Sequence, residues 1–131
     1  MDRVILLDTH VLLWWFLARN RLSRVALRAV SKASTRFLAD ISLREVAVLV
    51  EQERLSLEGP TADWLRQAIQ ELELEVVEIS PEIAARSTRI APNFHGDPAD
   101  QLIAATAIEL DVPLVTADER LRASPAVRTI W

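Results

Sequence analysis

Four consecutive apolar residues, Val4 to Leu7, lie near the start of the chain and are followed directly by a carboxylate, Asp8. An apolar run without alternation is typical of a strand that is buried on both faces, as in a parallel sheet covered by helices. A helical pattern of apolar residues begins at once with Val11 and Leu12. Ligands bind outside the carboxyl ends of the strands in open α/β sheets. We therefore expect Asp8 to lie at the functional edge of such a sheet.

Four further short apolar runs alternate with segments of helical periodicity. The predicted order of elements is β-α-α-β-α-α-β-α-α-β-α-β, which indicates a right-handed, mostly parallel sheet of four or five strands. The fold class is therefore α/β, in three layers (α/β/α), and we expect a single domain over residues 1–131. The later predicted strands are Phe37–Ala39, Val76–Ile79, Pro113–Thr116 and Val127–Ile130.

The composition, 50% hydrophobic and 26% charged, is that of an ordinary soluble globular protein. The chain has no cysteine and two histidines, so disulfides, thiolate sites and a histidine-rich zinc site are excluded. A metal would be held mainly by carboxylates, which favours Mg²⁺ or Mn²⁺. No stretch resembles a signal peptide or a membrane span, and we expect a cytoplasmic protein with no membrane partner.

The net charge of −4 is unevenly distributed. Residues 1–40 carry seven basic and three acidic side chains, whereas residues 41–80 carry three and nine. Nearly all of the basic residues are arginine, the side chain suited to bidentate phosphate contacts, although a GC-rich genome also favours arginine. This distribution is compatible with a metal enzyme that has one basic face.

Four acidic residues stand just after a predicted strand or near the start of a predicted helix. If a parallel sheet gathers them at one edge, they repel one another by a few kcal/mol per close pair at an effective dielectric of ~20. A divalent cation would relieve that repulsion. The four acids are Asp8, Glu45, Asp100 and Asp118.

Each of these acids also has an alternative interpretation as part of a helix cap. Asp8 and Asp118 can cap the helices that follow them. Glu45 can complete a Ser-x-x-Glu capping box that begins at Ser42. Asp97, three residues before Asp100, is interpreted as the cap of its helix.

Segments around the four acids resemble the PIN-domain ribonucleases, and most of all the VapC toxins of bacterial toxin–antitoxin pairs. The resemblance implies a Rossmann-like fold and a Mg²⁺- or Mn²⁺-dependent endoribonuclease whose metal-binding and catalytic acids are those four. It also implies RNA as substrate, a VapB-like antitoxin as partner, a homodimer and a larger toxin–antitoxin complex. The segments are Leu7-Asp8-Thr9-His10-Val11-Leu12-Leu13-Trp14, Ser42-x-x-Glu45, Gly96-Asp97-Pro98-Ala99-Asp100 and Leu114-Val115-Thr116-Ala117-Asp118.

Further residues are assigned secondary roles. Trp14, Trp15 and Phe16 are adjacent, so at least one should lie near the surface, where it would serve an antitoxin or dimer groove. We expect Thr9, Ser42, Asp97 and Thr116 to support the acids. Contacts with RNA are predicted for His10, Arg19, Arg21, Arg24 and Arg28.

One position departs from the family pattern, because Gln101 stands where an arginine usually follows the Asp-Pro-x-Asp segment. Within the family, the alternatives are a nuclease of housekeeping RNA processing and a catalytically silent PIN-fold binding module. Outside it, a haloacid-dehalogenase-like enzyme would need an acid where His10 stands. A response-regulator receiver would need an aspartate where the chain has Ser80-Pro81.

Overall fold

The structure, a computed structural model, describes residues 3–131 and contains a five-stranded, fully parallel sheet. The strand order is β3-β2-β1-β4-β5, so the chain starts in the middle, moves outward on one side, and returns to the other. The direction of winding therefore reverses between β1 and β4, which is where open α/β sheets bind ligands. The strands are Val4–Leu7 (β1), Thr35–Ala39 (β2), Leu74–Val77 (β3), Leu114–Val115 (β4) and Thr129–Ile130 (β5).

Within residues 3–131, seven helices connect these strands, and their order confirms the predicted succession of elements and the α/β class. A single 3₁₀ turn at Arg19–Arg21 separates the first two helices. In the part of the chain that the structure describes, no helix is long and apolar enough to cross a membrane. The helices are Thr9–Leu17 (α1), Arg24–Lys32 (α2), Asp40–Glu51 (α3), Thr61–Glu71 (α4), Pro81–Ser87 (α5), Pro98–Leu110 (α6) and Glu119–Ala123 (α7).

The first strand is buried on both faces, as its unbroken apolar run predicts. Ile5 and Leu7 pack into one core cluster with residues of α1, α2 and α4. Leu6, which points to the opposite face, packs into a second cluster with residues of α6 and α7. The two clusters lie on opposite faces of the sheet, so the three-layer arrangement is confirmed.

The predicted bounds of the third strand are wrong by two residues. The strand runs from Leu74 to Val77, whereas the apolar run suggested Val76–Ile79. This strand lies at the edge of the sheet, with Val76 36% exposed, and its position follows from pairing with β2, where Leu38 lies opposite Val76. The pairing register with β2, and not the local run of apolar residues, therefore sets the bounds of this strand.

The predicted capping box at Ser42 and Glu45 is also wrong. Helix α3 begins at Asp40, directly after β2, and Ala39 occupies the cap position. Ser42 is therefore buried inside the helix and cannot cap it. The other predicted caps are confirmed: the side chains of Asp8, Asp97 and Asp118 each accept a hydrogen bond from a backbone N–H at a helix start.

Truncation of a buried side chain in β2, which lies between β1 and the edge strand β3, should destabilise the protein strongly. Leu38 is fully buried in β2, so Leu38→Ala should lower the free energy of unfolding by about 2–5 kcal/mol. Val76 lies on the edge strand, and Val76→Ala should cost less than about 1 kcal/mol. Urea unfolding of both variants measures the difference, and equal costs would contradict the placement of the two strands.

Candidate active site

A cavity of about 740 Å³ opens at the carboxyl edge of the sheet, next to the ends of β1 and β4. The backbone N–H of Asp8 donates to the carbonyl of Val115 at 3.0 Å, which fixes the end of β1 beside the end of β4. All four acids singled out in the sequence line this cavity. Its lining includes Asp8, Glu45, Asp100 and Asp118.

Asp8 is only 6% exposed, and both of its carboxylate oxygens are hydrogen-bonded. Oδ1 accepts from the backbone N–H of Thr9 at 2.8 Å, and Oδ2 accepts from the hydroxyl of Thr116 at 2.6 Å. Burial raises the pKa of Asp8, and the charge of Asp100 raises it further, although the Thr116 hydrogen bond opposes the shift. Asp8 is thus a carboxyl group held in a fixed position at the end of β1 by two hydrogen bonds.

Glu45 reaches the cavity from α3 and is held there by α1. The hydroxyl of Thr9 donates to Glu45 Oε1, and the same hydroxyl oxygen lies 2.8 Å from that of Ser42. Burial raises the pKa of Glu45, the Thr9 hydrogen bond lowers it, and the charges of Asp8 and Asp100 raise it. Thr9 and Ser42 therefore lie where supporting residues were predicted, although they form a link between helices rather than a cap.

Asp100 lies in the first turn of α6, where Asp97 accepts a hydrogen bond from its backbone N–H at 3.1 Å. Its side-chain Oδ2 is 2.9 Å from His95 Nε2 and 3.5 Å from Arg120 Nη2. Burial raises the pKa of Asp100, as do the charges of Asp97 and Asp118, while the His95 hydrogen bond lowers it. The side chain of Asp100 therefore faces the site, and Asp97 acts as the helix cap.

Asp118 differs from the other three acids because it caps a helix with its own side chain. Oδ1 accepts from the backbone N–H groups of Arg120 at 2.8 Å and Leu121 at 3.2 Å. Partial burial favours a higher pKa, but these two hydrogen bonds and the charge of Arg120 outweigh it and hold the pKa of Asp118 below its usual range. Asp118 is therefore both a helix cap and a residue of the site, since the carboxylate that caps α7 also lines the cavity.

Two residues at the site were not assigned a role from the sequence. Arg120 lines the cavity and bridges Asp100 and Asp118, with its Nη2 3.5 Å from each carboxylate. His95 lies against Asp100 from a loop, and Gln101 donates to the backbone carbonyl of His95 at 3.2 Å. Gln101 thus fixes the loop, and Arg120 supplies a cation beside Asp100. The sequence offered one signal for a role of Arg120 at the site, which is its position in the first turn of the helix that follows Asp118.

The residues predicted to contact RNA lie in different places. His10 is exposed and lines the cavity, with its ring centroid 5.9 Å from that of Trp14, which lines it too. The guanidinium groups of Arg19 and Arg21 lie over the rings of Trp15 and Trp14, at 4.1 and 4.5 Å. Arg24 and Arg28 are exposed on α2. These four arginines do not line the cavity, and their contact with RNA stays a prediction.

The family model of the PIN domain matches residues 5–126 of this sequence. The chain belongs to the PIN domain family. It is 43% identical over 129 residues to Ribonuclease VapC22 of Mycobacterium tuberculosis, a match that covers 97% of this chain and 98% of that protein. This similarity places it with the VapC-type members of the family.

Solved structures confirm the fold of this PIN domain. VapBC2 from Rickettsia felis, bound to a DNA fragment from its promoter, matches with a TM-score of 0.70 and 18% identity, over 96% of each chain. A toxin–antitoxin complex from Klebsiella pneumoniae matches with a TM-score of 0.68 and 23% identity, over 94% of each chain. At these identities, the likeness establishes the Rossmann-like architecture alone.

The carboxylates of the PIN domain form a suitable donor set for a hard divalent ion. Among residues 3–131, no group of three or more His, Asp or Glu side chains is arranged to hold one ion together. Mg²⁺, however, usually keeps several waters and binds through one or two carboxylates plus substrate phosphate. Asp8 and Asp100 could serve as such a pair, because both line the cavity and the charge of Asp100 raises the pKa of Asp8, a repulsion that a cation would relieve.

The raised pKa values predict that Asp8 destabilises the metal-free domain as the pH rises. The folded state binds the proton of Asp8 more tightly than the unfolded state does. This difference adds to the free energy of unfolding at pH values below the ordinary pKa of aspartate, and the added stability is lost as the pH rises through the pKa of the folded state. The Asp8→Asn variant lacks this titration. The difference between its melting temperature and that of wild type should therefore become more positive from about pH 4 to about pH 7.

Thermal melts in EDTA measure this difference. Asp63→Asn, at an exposed acid on α4, is the matched control. If the Asp8→Asn and wild-type curves run parallel, the assigned shift is wrong.

Proposed function

We propose that this PIN-domain protein is a Mg²⁺- or Mn²⁺-dependent endoribonuclease that acts as the toxin of a VapBC-type pair. The observation that carries the proposal is the convergence of four carboxylates on one cavity at the edge where β1 and β4 meet. The name of the relative that is 43% identical, Ribonuclease VapC22, supports RNA as the substrate. The proposed bond cleaved is the phosphodiester of RNA.

Asp8 and Asp100 would hold the metal ion, and Glu45 and Asp118 would complete its surroundings. A bound Mg²⁺ or Mn²⁺ lowers the pKa of water and neutralises charge on the phosphate. Glu45 is suited to accept the proton of the attacking water, because its raised pKa brings it closer to neutral pH and Thr9 fixes one of its oxygens. The water oxygen would bond to phosphorus as the bond from phosphorus to the leaving ribose oxygen breaks, and the leaving oxygen would take a proton from solvent.

Three hydroxyl groups keep these acids in position. Thr116 links Asp8 to the end of β4, while Thr9 and Ser42 connect Glu45 to α1. All three residues are buried, so their rotamers are fixed by packing as well as by hydrogen bonds. Small errors in the positions of catalytic groups cost large factors in rate, and such supports reduce them.

A VapB-like antitoxin and a homodimer are the proposed partners. The solved complexes of similar fold are described as VapBC or toxin–antitoxin complexes, which supports the antitoxin as partner. The side chains of Trp14, Trp15 and Phe16 pack against the first core cluster and remain partly exposed. These aromatic side chains suit the groove that was predicted for an antitoxin segment or a second copy.

Expression of the protein without an antitoxin should arrest bacterial growth and generate new RNA ends. Asp8→Asn should relieve the arrest and abolish the ends, because it removes a charge from the proposed metal pair. Asp63→Asn, made to the same level, should remain toxic. Growth curves and sequencing of RNA ends after a brief expression pulse provide the measurements. An Asp8→Asn protein as toxic as wild type would contradict the proposal. New RNA ends that occur only in the precursors of stable RNA would instead favour a nuclease of housekeeping RNA processing.

Metal binding should stabilise the wild-type domain more than Asp100→Asn. Asp100 has a raised pKa, so loss of its charge should not lower the melting temperature in EDTA. The variant should gain much less from millimolar Mn²⁺, because a ligand stabilises in proportion to its affinity for the folded state. Thermal melts with EDTA and with Mn²⁺ give the metal-free melting temperature and the increase that Mn²⁺ produces. Asp63→Asn again serves as control. A variant that melts lower in EDTA but keeps the full Mn²⁺ gain would make Asp100 a structural residue only.

A further inference from the structure

A second cavity, of about 320 Å³, lies beside the active-site cavity. It is formed by the loop at residues 91–95 and by the C-terminal part of α7 with the residues that follow it. Arg120 lines both cavities and therefore stands at their junction. The volume is near the lower end of the range for small-ligand sites, about 300–1,000 Å³, which suits one nucleotide.

The side chain of Arg120 is suited to hold an anion at this junction. It is 60% exposed, and its contacts with Asp100 and Asp118 are both made through Nη2, at 3.5 Å. These distances are long for charge-assisted hydrogen bonds, which lie near 2.7–2.9 Å. A guanidinium has five N–H donors in a planar fork that matches phosphate. Arg120 can therefore turn its other donors to a phosphate without leaving the two carboxylates.

The lining of the second cavity differs in charge and chemistry from that of the first. Among the described residues, no acidic side chain lines it, whereas four acids of the predicted site line its neighbour. The rings of Phe94 and His95, which both line it, are stacked with centroids 4.6 Å apart and an interplanar angle of 22°. Aromatic side chains of this kind provide stacking surfaces for unpaired bases.

The aromatic pair is also fixed relative to the active site. His95 Nε2 lies 2.9 Å from Asp100 Oδ2, and the backbone carbonyl of His95 accepts from Gln101 on α6. Phe94 packs against the second core cluster. A stacking surface held in this way loses little entropy on binding, which favours affinity.

We infer that the second cavity binds the nucleotide next to the cleaved bond of a single-stranded RNA. Arg120 holds the phosphate that links this nucleotide to the one in the active site, and Phe94 and His95 contact its base. This inference rests on the proposed ribonuclease function and adds a subsite to it. It assigns Arg120 and Phe94 to substrate binding.

The role of Arg120 is tested with a pool of short, fluorescein-labelled single-stranded RNA of random sequence. Affinity is measured by fluorescence anisotropy over a range of salt, with Ca²⁺ in place of Mg²⁺ and strand integrity checked on a gel. Arg120→Gln should reduce the slope of log affinity against log salt by about 0.7, the value for one lost contact to a single strand. Arg122→Gln, at an exposed residue of the same helix that lines neither cavity, should leave the slope unchanged. Arg120→Lys should retain the slope, which separates lost charge from misfolding.

The role of Phe94 is tested with the same RNA and with a sugar–phosphate strand that lacks bases. Phe94→Leu keeps an apolar side chain against the core but removes the aromatic face. It should weaken binding of the RNA pool by at least roughly 5-fold, the lower limit for loss of one stacked base. Its affinity for the strand without bases should equal that of wild type. If both strands are weakened equally, or neither is weakened, Phe94 is not a base contact.

The outcomes separate this inference from the proposed function. A wild-type protein that cuts RNA, together with Arg120→Gln and Phe94→Leu variants that bind like wild type, would overturn the subsite alone. A wild-type protein that neither binds nor cuts RNA would overturn the ribonuclease function and the subsite with it.

Discussion

The hydrogen bond from Thr116 to Asp8 connects residues that are 108 positions apart, and the site depends on it. A buried carboxylate is costly unless its oxygens have partners, and Asp8 is almost completely buried. Parallel pairing of β1 with β4 brings the Thr116 hydroxyl to one oxygen, and the start of α1 brings a backbone N–H to the other. The sheet topology thus determines where the first acid of the site can stand.

Two of the other acids, Glu45 and Asp100, are held by partners from separate elements of the chain. Glu45 on α3 bonds to Thr9 on α1, and Asp100 on α6 contacts the loop residue His95 and Arg120 on α7. Each contact joins two elements that pack on the same edge of the sheet, so the polar groups contribute to the positions of the helices. The same contacts reduce the repulsion among the carboxylates when no cation is bound.

Much of this arrangement could be predicted from the sequence, because it follows from local patterns. The uniform apolar run of β1 indicates burial on both faces, and acids that follow parallel strands must share one edge. The errors arose where distant partners decide the structure. Glu45 looked like a capping residue for Ser42, but its hydrogen-bond partner is Thr9, 36 positions away. His95 carries no local pattern of its own, and Arg120 is marked only by its place in the first turn after Asp118. The fold brings both residues to Asp100.

The four acids differ in their affinity for protons, and this difference bears on the proposed metal binding. Asp118 has a lowered pKa because backbone N–H groups at the start of α7 and Arg120 stabilise its charge. The pKa values of Asp8, Glu45 and Asp100 are raised by burial and by neighbouring acids. Carboxylates bind metal in their ionised form, so protons compete with the ion at these three residues. On the proposed function, Asp118 is the acid that stays ionised without a metal, and a bound cation would favour ionisation of the other three acids.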